Sequence, residues 1–133
     1  MYYGEKFNAL THFAGAVLAL AGTVVLIVLA ALDGDPWKVV SVSIYGTTLV
    51  LLYSFSTLYH SLRGRAKDML RKLDHHGIYL LIAGSYTPLC LVTLRGPWGW
   101  SLFGVVWGLA VLGSLQELRQ KSQARILSVV IYV

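Results

Sequence analysis

Residues 13–32 read FAGAVLALAGTVVLIVLAAL, twenty consecutive residues without a charged side chain. At about 1.5 Å of rise per residue, a helix of this length reaches about 30 Å, the thickness of a bilayer's hydrocarbon core. A backbone immersed there has no water to bond, so the segment must satisfy its own N–H and C=O groups as a helix. It lies near the amino terminus, as a secretory signal would. However, it is longer than a typical signal core, and Asp33-Gly34-Asp35-Pro36 after it is a poor small-residue cleavage site. The stretch therefore reads as a retained transmembrane span.

Working outward, the apolar stretches 39–62, 77–94 and 97–115 are also long enough to cross. A fifth begins at Ile126 and contributes only eight residues up to Val133, roughly 12 Å of helix, which does not span. The expected fold is all-α: a multi-pass transmembrane helix bundle with four complete spans and a partial fifth. All of 1–133 is expected to form a single, C-terminally incomplete transmembrane domain. Composition agrees, with 56% hydrophobic and 13% charged residues, where a soluble domain carries about 25% charged. A net charge of +5 would raise nucleic acid in a soluble protein. Here the basic residues flank apolar spans, so they read as determinants of topology, and no nucleic-acid partner is expected. Cys90 is the one cysteine, which excludes an internal disulfide and Cys-based metal motifs.

Nine of the eleven Lys and Arg residues fall on one side of such a bundle: Lys6, the run Arg63, Arg65, Lys67, Arg71 and Lys72, and then Arg119, Lys121 and Arg125. Only Lys38 and Arg95 fall on the other. By the positive-inside rule the amino terminus and the basic loops are cytoplasmic, and the protein is expected in the cell (inner) membrane. Trp37, Trp98 and Trp100 then lie at the outer ends of spans, where an aromatic belt forms. Gly15, Ala19 and Gly22 line one side of the first span, and Gly104, Gly108 and Gly113 suggest a similar close-approach face on the fourth. Pro88 removes the helical partner of the Gly84 carbonyl, which predicts a kink, and Pro97 suits the first turn of span four.

The polar residues of the spans converge in depth. Glu5, Asn8 and His12 share a helical face just before span one. Ser56 and His60, four apart, share a face at the end of span two, and Asp74, followed by His75 and His76, is expected to open span three. This topology brings His12, His60 and Asp74 to one depth. Imidazoles are good zinc ligands, a carboxylate ligates or takes a proton from bound water, and a hydroxyl orients either. Two imidazoles and a carboxylate do not complete a tetrahedral site, so the competing reading is a set of interfacial polar residues capping helix ends. Tyr53, Tyr59, Tyr79 and Tyr86 read as packing or interface residues.

At these residues the chain resembles a family. Glu5-x-x-Asn8-x-x-x-His12, Ser56-Thr57-Leu58-Tyr59-His60, Leu73-Asp74-His75, the run from Leu81 to Pro88 and Leu94-Arg95-Gly96-Pro97-Trp98-Gly99-Trp100 look like the bacterial hemolysin III proteins. These are relatives of the adiponectin and progestin receptors. The resemblance implies seven helices, a zinc cofactor near the cytoplasmic face, and kinship with membrane hydrolases that act on lipid amides such as ceramide. It implies His60 as a metal ligand, Ser56 as its supporting hydroxyl and Asp74 as the group that holds or activates a metal-bound water. Two further ligands would come from a His-x-x-x-His motif in a seventh span, which these 133 residues do not contain. The chain as given is therefore expected to be catalytically silent and to hold no zinc tightly. Its expected partners are the lipid bilayer and, for the full-length protein, a lipid amide or ester substrate. The alternative is non-enzymatic: a membrane-perturbing (cytolytic), channel-like or receptor-like regulator of membrane state.

Overall fold

A computed structural model describes residues 4–119, with side-chain surroundings through Glu117. The partial fifth span, Arg125 and Lys121 lie outside the described residues. The chain runs through α1 (Lys6–Asp33), α2 (Pro36–Ser61), α3 (Arg65–Pro88), a π-helical segment (Leu89–Thr93) and α4 (Pro97–Arg119). Four helices are long and apolar enough to cross a membrane, and no strand occurs among the described residues. Each helix packs chiefly on its sequence neighbours, α1 on α2, α2 on α3 and α3 on α4. Many large apolar side chains, among them Leu18, Leu29, Leu32 and Leu112, are exposed. Water would penalise such a surface, whereas lipid tails match it.

The turns follow from local chemistry. The Asp33-Gly34-Asp35-Pro36 stretch is a two-residue helix hairpin. Gly34, at φ 76°, takes the left-handed position that ends α1, its N–H bonding the Ala31 carbonyl at 3.1 Å. Asp35 then caps α2, accepting the Trp37 N–H at 2.9 Å, with Pro36 in the first turn.

The basic stretch before span three is not a loop. Only Leu62, Arg63 and Gly64 separate α2 from α3, and 65–72 form the first two turns of α3. The reason is propensity: Arg65-Ala66-Lys67-Asp68-Met69-Leu70-Arg71-Lys72 are mostly strong helix formers without Gly or Pro, and Asp68 sits in the first turn, where the helix dipole favours a negative charge. Asp74 consequently does not open the helix; it is the tenth residue of α3.

Pro88 acts as expected in kind. The helix widens immediately after it into the π segment, where the Leu94 N–H reaches the Leu89 carbonyl at 2.9 Å. The neighbouring Thr87 hydroxyl donates to the Ala83 carbonyl at 2.9 Å and accepts the Trp107 Nε1–H at 3.1 Å, tying α3 to α4. Around this tie lies a core of Tyr79, Ala83 and Ala110 with Val106 and Trp107.

The glycine expectation is partly corrected. A Cβ on Gly15 would lie 2.7 Å from the Tyr53 ring, and one on Gly113 would lie 2.5 Å from Tyr79. By contrast, Gly22, Gly104 and Gly108 have no described neighbour within 4 Å of such an atom. The closest approaches fall at Gly46, where a Cβ would meet Thr23 at 2.2 Å, and at Gly84, where it would meet Thr48 at 2.1 Å. Gly99 is the most constrained, because its Cβ would lie 2.1 Å from the backbone carbonyl oxygen of Cys90.

Candidate functional site at the Glu5 end of the bundle

α1 and α3 start, and α2 ends, at the same end of the bundle, and one carboxylate joins them. Glu5, directly before α1, has Oε2 2.5 Å from His60 Nδ1 in the last turn of α2. Its other oxygen lies 3.3 Å from Lys67 Nζ in the first turn of α3. Asn8, in the first turn of α1, donates from Nδ2 to Oε2 at 3.4 Å. The carboxylate is only 23% exposed. The hydrogen bond from His60 is the largest influence on Glu5; with Lys67's bond and charge it outweighs desolvation and holds the carboxyl at about 2, against an ordinary 4.5.

Aromatic rings enclose the imidazole. The Tyr59 ring lies 4.8 Å from that of His60, with Lys67 Nζ 4.9 Å from the centre of the Tyr59 ring. The His12 ring stands 5.3 Å from His60 and 6.0 Å from Tyr53. His12 Nδ1 is buried without a hydrogen-bond partner among the described residues. His12 therefore stands against the His60 ring and is not bonded into the Glu5–Asn8 pair.

Of the three residues singled out for chemistry, Ser56 is buried at 3% exposure one turn before His60 on α2. Asp74 is half-buried on α3, seven residues after Lys67 and hence on the same helical face, about 10 Å further along the axis. His60 bonds Glu5, not Asp74. Among the described residues, no three or more His, Cys, Asp or Glu side chains form a group that could hold a metal ion. A groove of about 520 Å³ opens at the opposite end of the bundle, lined by Leu26, Asp33, Lys38, Ser41 and Pro88 among others, and none of Ser56, His60 and Asp74 borders it.

Two participants escaped the sequence reading. Lys67 was one charge in a basic run, and only its place seven residues before Asp74 on a common face marked it out. Glu117 accepts from His75 through a 2.8 Å contact between Oε1 and Nδ1, joining α4 to α3 at this same end. His75 and His76 were expected beside Asp74 at the opening of span three; His75 bridges two helices, and His76 Nδ1 is buried without a described partner.

The fold and this site define a class: a multi-pass helical membrane protein with a histidine–carboxylate cluster at one end of the bundle. Comparison with known proteins narrows the class. A family model described as Haemolysin-III related matches residues 2–133. The chain is 47% identical over 115 residues to Hemolysin-3 of Bacillus cereus, covering 86% of this chain and 52% of that protein. It is 41% identical over 130 residues to a Hemolysin-3 homolog of Bacillus subtilis (strain 168), covering 97% of this chain and 61% of that one. It is also similar, at 26% identity over 138 residues, to the human monocyte to macrophage differentiation factor, covering 98% of this chain and 56% of the human one. No solved structure matches. The chain belongs to the haemolysin III family, and it spans about half to three-fifths of the length of these relatives.

Proposed function

We propose that the full-length protein is a zinc-dependent hydrolase of the cell membrane, acting on lipid amides or esters, with His60 as a metal ligand. The observation that carries this reading is the state of His60, whose Nδ1 is engaged by Glu5 Oε2 at 2.5 Å. A histidine tied to a carboxylate through one nitrogen is the usual form of a metal-binding imidazole. Nε2 would supply one donor to a zinc ion in the full-length protein, with further donors expected from the His-x-x-x-His motif that the resemblance implies. When bound, zinc supplies a Lewis acid and lowers the pKa of coordinated water towards neutrality. The chain's own residues have simpler tasks. Glu5 orients the imidazole, Ser56 offers a hydroxyl one turn away on the same face, and Asp74 supplies the carboxylate that takes a proton from attacking water.

The test uses the full-length protein in lipid nanodiscs, measuring bound zinc and release of fatty acid from ceramide. We expect about one zinc per chain, lost with all hydrolysis in His60→Ala, and hydrolysis lost with zinc retained in Asp74→Asn. Full-length protein without zinc, or zinc unaffected by His60→Ala, sinks the proposal. Residues 1–133 alone, with one family-matched ligand, are expected to retain no zinc after the same dialysis. The amino terminus is proposed to be cytoplasmic, from the nine-to-two distribution of basic residues. Reporter fusions after Asp33 and after Lys72 should then read outside and inside respectively, and the reverse pattern refutes the orientation.

A second reading is favoured by a different observation. Because Glu5 bonds both His60 and Lys67, and the groove lies at the other end, the cluster also suits a structural clamp in a non-enzymatic protein. Such a protein would perturb membranes, as the name Hemolysin-3 of the Bacillus cereus relative suggests, or act as a channel or a receptor-like regulator. Dye release from vesicles by a zinc-free His60→Ala protein would favour it.

A further inference from the structure

We infer that the groove at the Trp37 end of the bundle holds an acyl chain of one phosphatidylethanolamine molecule, with Lys38 on its phosphate and Asp33 on its ammonium. The groove lies away from Ser56, His60 and Asp74, so the inference does not depend on the zinc reading. α1 and the π segment both pack on α2, and they form the facing walls, with Pro88 in the second. The lining runs from apolar to polar in one direction on every side. Along α1 it passes from Leu26 and Ala30 to Asp33, about 10 Å from Leu26 along the axis. Along α2 it passes from Val42 to Lys38, and after Pro88 it passes from Leu89 and Val92 to Thr93.

That gradient is the polarity of a phospholipid. In the apolar part, water finds no polar side chains to bond, and a concavity of about 520 Å³ among close-packed lipid tails does not stay empty. A flexible hydrocarbon chain fills it. At the polar end Lys38 and Asp33 are paired with each other, yet they are 42% and 52% exposed, so a headgroup reaches both. Trp37, beside Lys38 in sequence, meets Trp100 with ring centres 6.0 Å apart, an aromatic pair of the kind that marks headgroup depth. The two charges complement a zwitterion with a primary amine: the lysine donates to phosphate, and the carboxylate accepts from the ammonium. A phosphatidylglycerol headgroup satisfies Lys38 but sets its phosphate beside Asp33. A phosphatidylcholine headgroup has no N–H for the carboxylate to accept.

The experiment uses the full-length protein in mild detergent, titrated with phosphatidylethanolamine, phosphatidylcholine and phosphatidylglycerol of identical chains, with bound lipid counted by native mass spectrometry. The groove site is the binding event that Val92→Trp removes by filling the groove. Leu112→Trp, on an exposed apolar face outside it, should leave that event intact. We expect one phosphatidylethanolamine per chain at this site, held about tenfold more tightly than phosphatidylglycerol. Asp33→Asn should bring phosphatidylglycerol up towards phosphatidylethanolamine, and Lys38→Gln should weaken all three lipids. Should Val92→Trp not fold, Leu29→Trp fills the groove from the α1 wall. The inference is overturned if the filling variants bind lipid like the wild type, as they would were a later span of the full-length protein seated in the groove. It is equally overturned if Leu112→Trp loses the same lipid, or if the wild type holds phosphatidylglycerol as tightly as phosphatidylethanolamine.

Discussion

The two ends of the bundle hold their charges differently. At the tryptophan end, Arg95 pairs with Asp35 at 3.8 Å and lies 4.9 Å over the Trp37 ring, yet the arginine is 54% exposed. Lys38 and Asp33, also paired, are similarly open, and Trp37 meets Trp100 with ring centres 6.0 Å apart. At the Glu5 end, one shielded carboxylate serves groups from three helices. Open pairs among aromatic rings suit a boundary where headgroups and water compete for every charge, and each contributes little. A partly shielded carboxylate shared by three donors fixes geometry, because each donor holds it in place for the others.

The comparison is broken most severely through the backbone. Gly99→Ala would drive a methyl into the Cys90 carbonyl where α4 leaves the π segment. Backbone atoms cannot swing aside, so a loss of about 3 kcal/mol is expected in denaturant unfolding in detergent. If the variant unfolds like the wild type, the tryptophan end is looser than its geometry implies. This would be the largest effect, and it owes nothing to charge.

A second, smaller effect separates the ends by pH. The folded-state pKa of Glu5 is depressed to about 2 from 4.5, by the His60 hydrogen bond first and Lys67 after it. A depressed carboxyl stabilises the fold fully above its unfolded value and loses that contribution as pH falls towards the folded one. Thermal unfolding of the wild type should therefore weaken between pH 4.5 and 2. Glu5→Gln should start lower and lose less across that window. Parallel curves for the two proteins would mean that Glu5 is not the shared carboxylate described above.

The smallest effect is expected at the exposed arginine. Arg95→Gln removes a cation over Trp37 and a long pair with Asp35, together about 1 kcal/mol or less. That loss should shrink further in high salt. A larger, salt-insensitive loss would show that the tryptophan end is as tightly organised as the other.

Much of this was legible in residue order because it depends on short stretches. Twenty uncharged residues force a helix wherever they meet lipid, Gly34-Asp35-Pro36 contains both a stop and a start, and Pro88 disturbs its own turn. That the end of α2 and the start of α3 lie at one end of the bundle also followed from counting turns. The start of α3 was misplaced because charge was read as loop, although 65–72 have the propensity of a helix that continues past the apolar core.

What the sequence alone determined, then, is the set of helices and the end of the bundle to which each polar side chain belongs, since length, period and capping are properties of neighbouring residues. Tertiary structure alone decided the partners. Glu5 meets His60 and Lys67 across 55 and 62 residues, and Gly46 and Gly84 lie at helix crossings while Gly22 and Gly104 do not. The physical reason is that rotation of a helix about its axis is fixed by the helix packed against it. Every candidate face looks equivalent until that neighbour is in place.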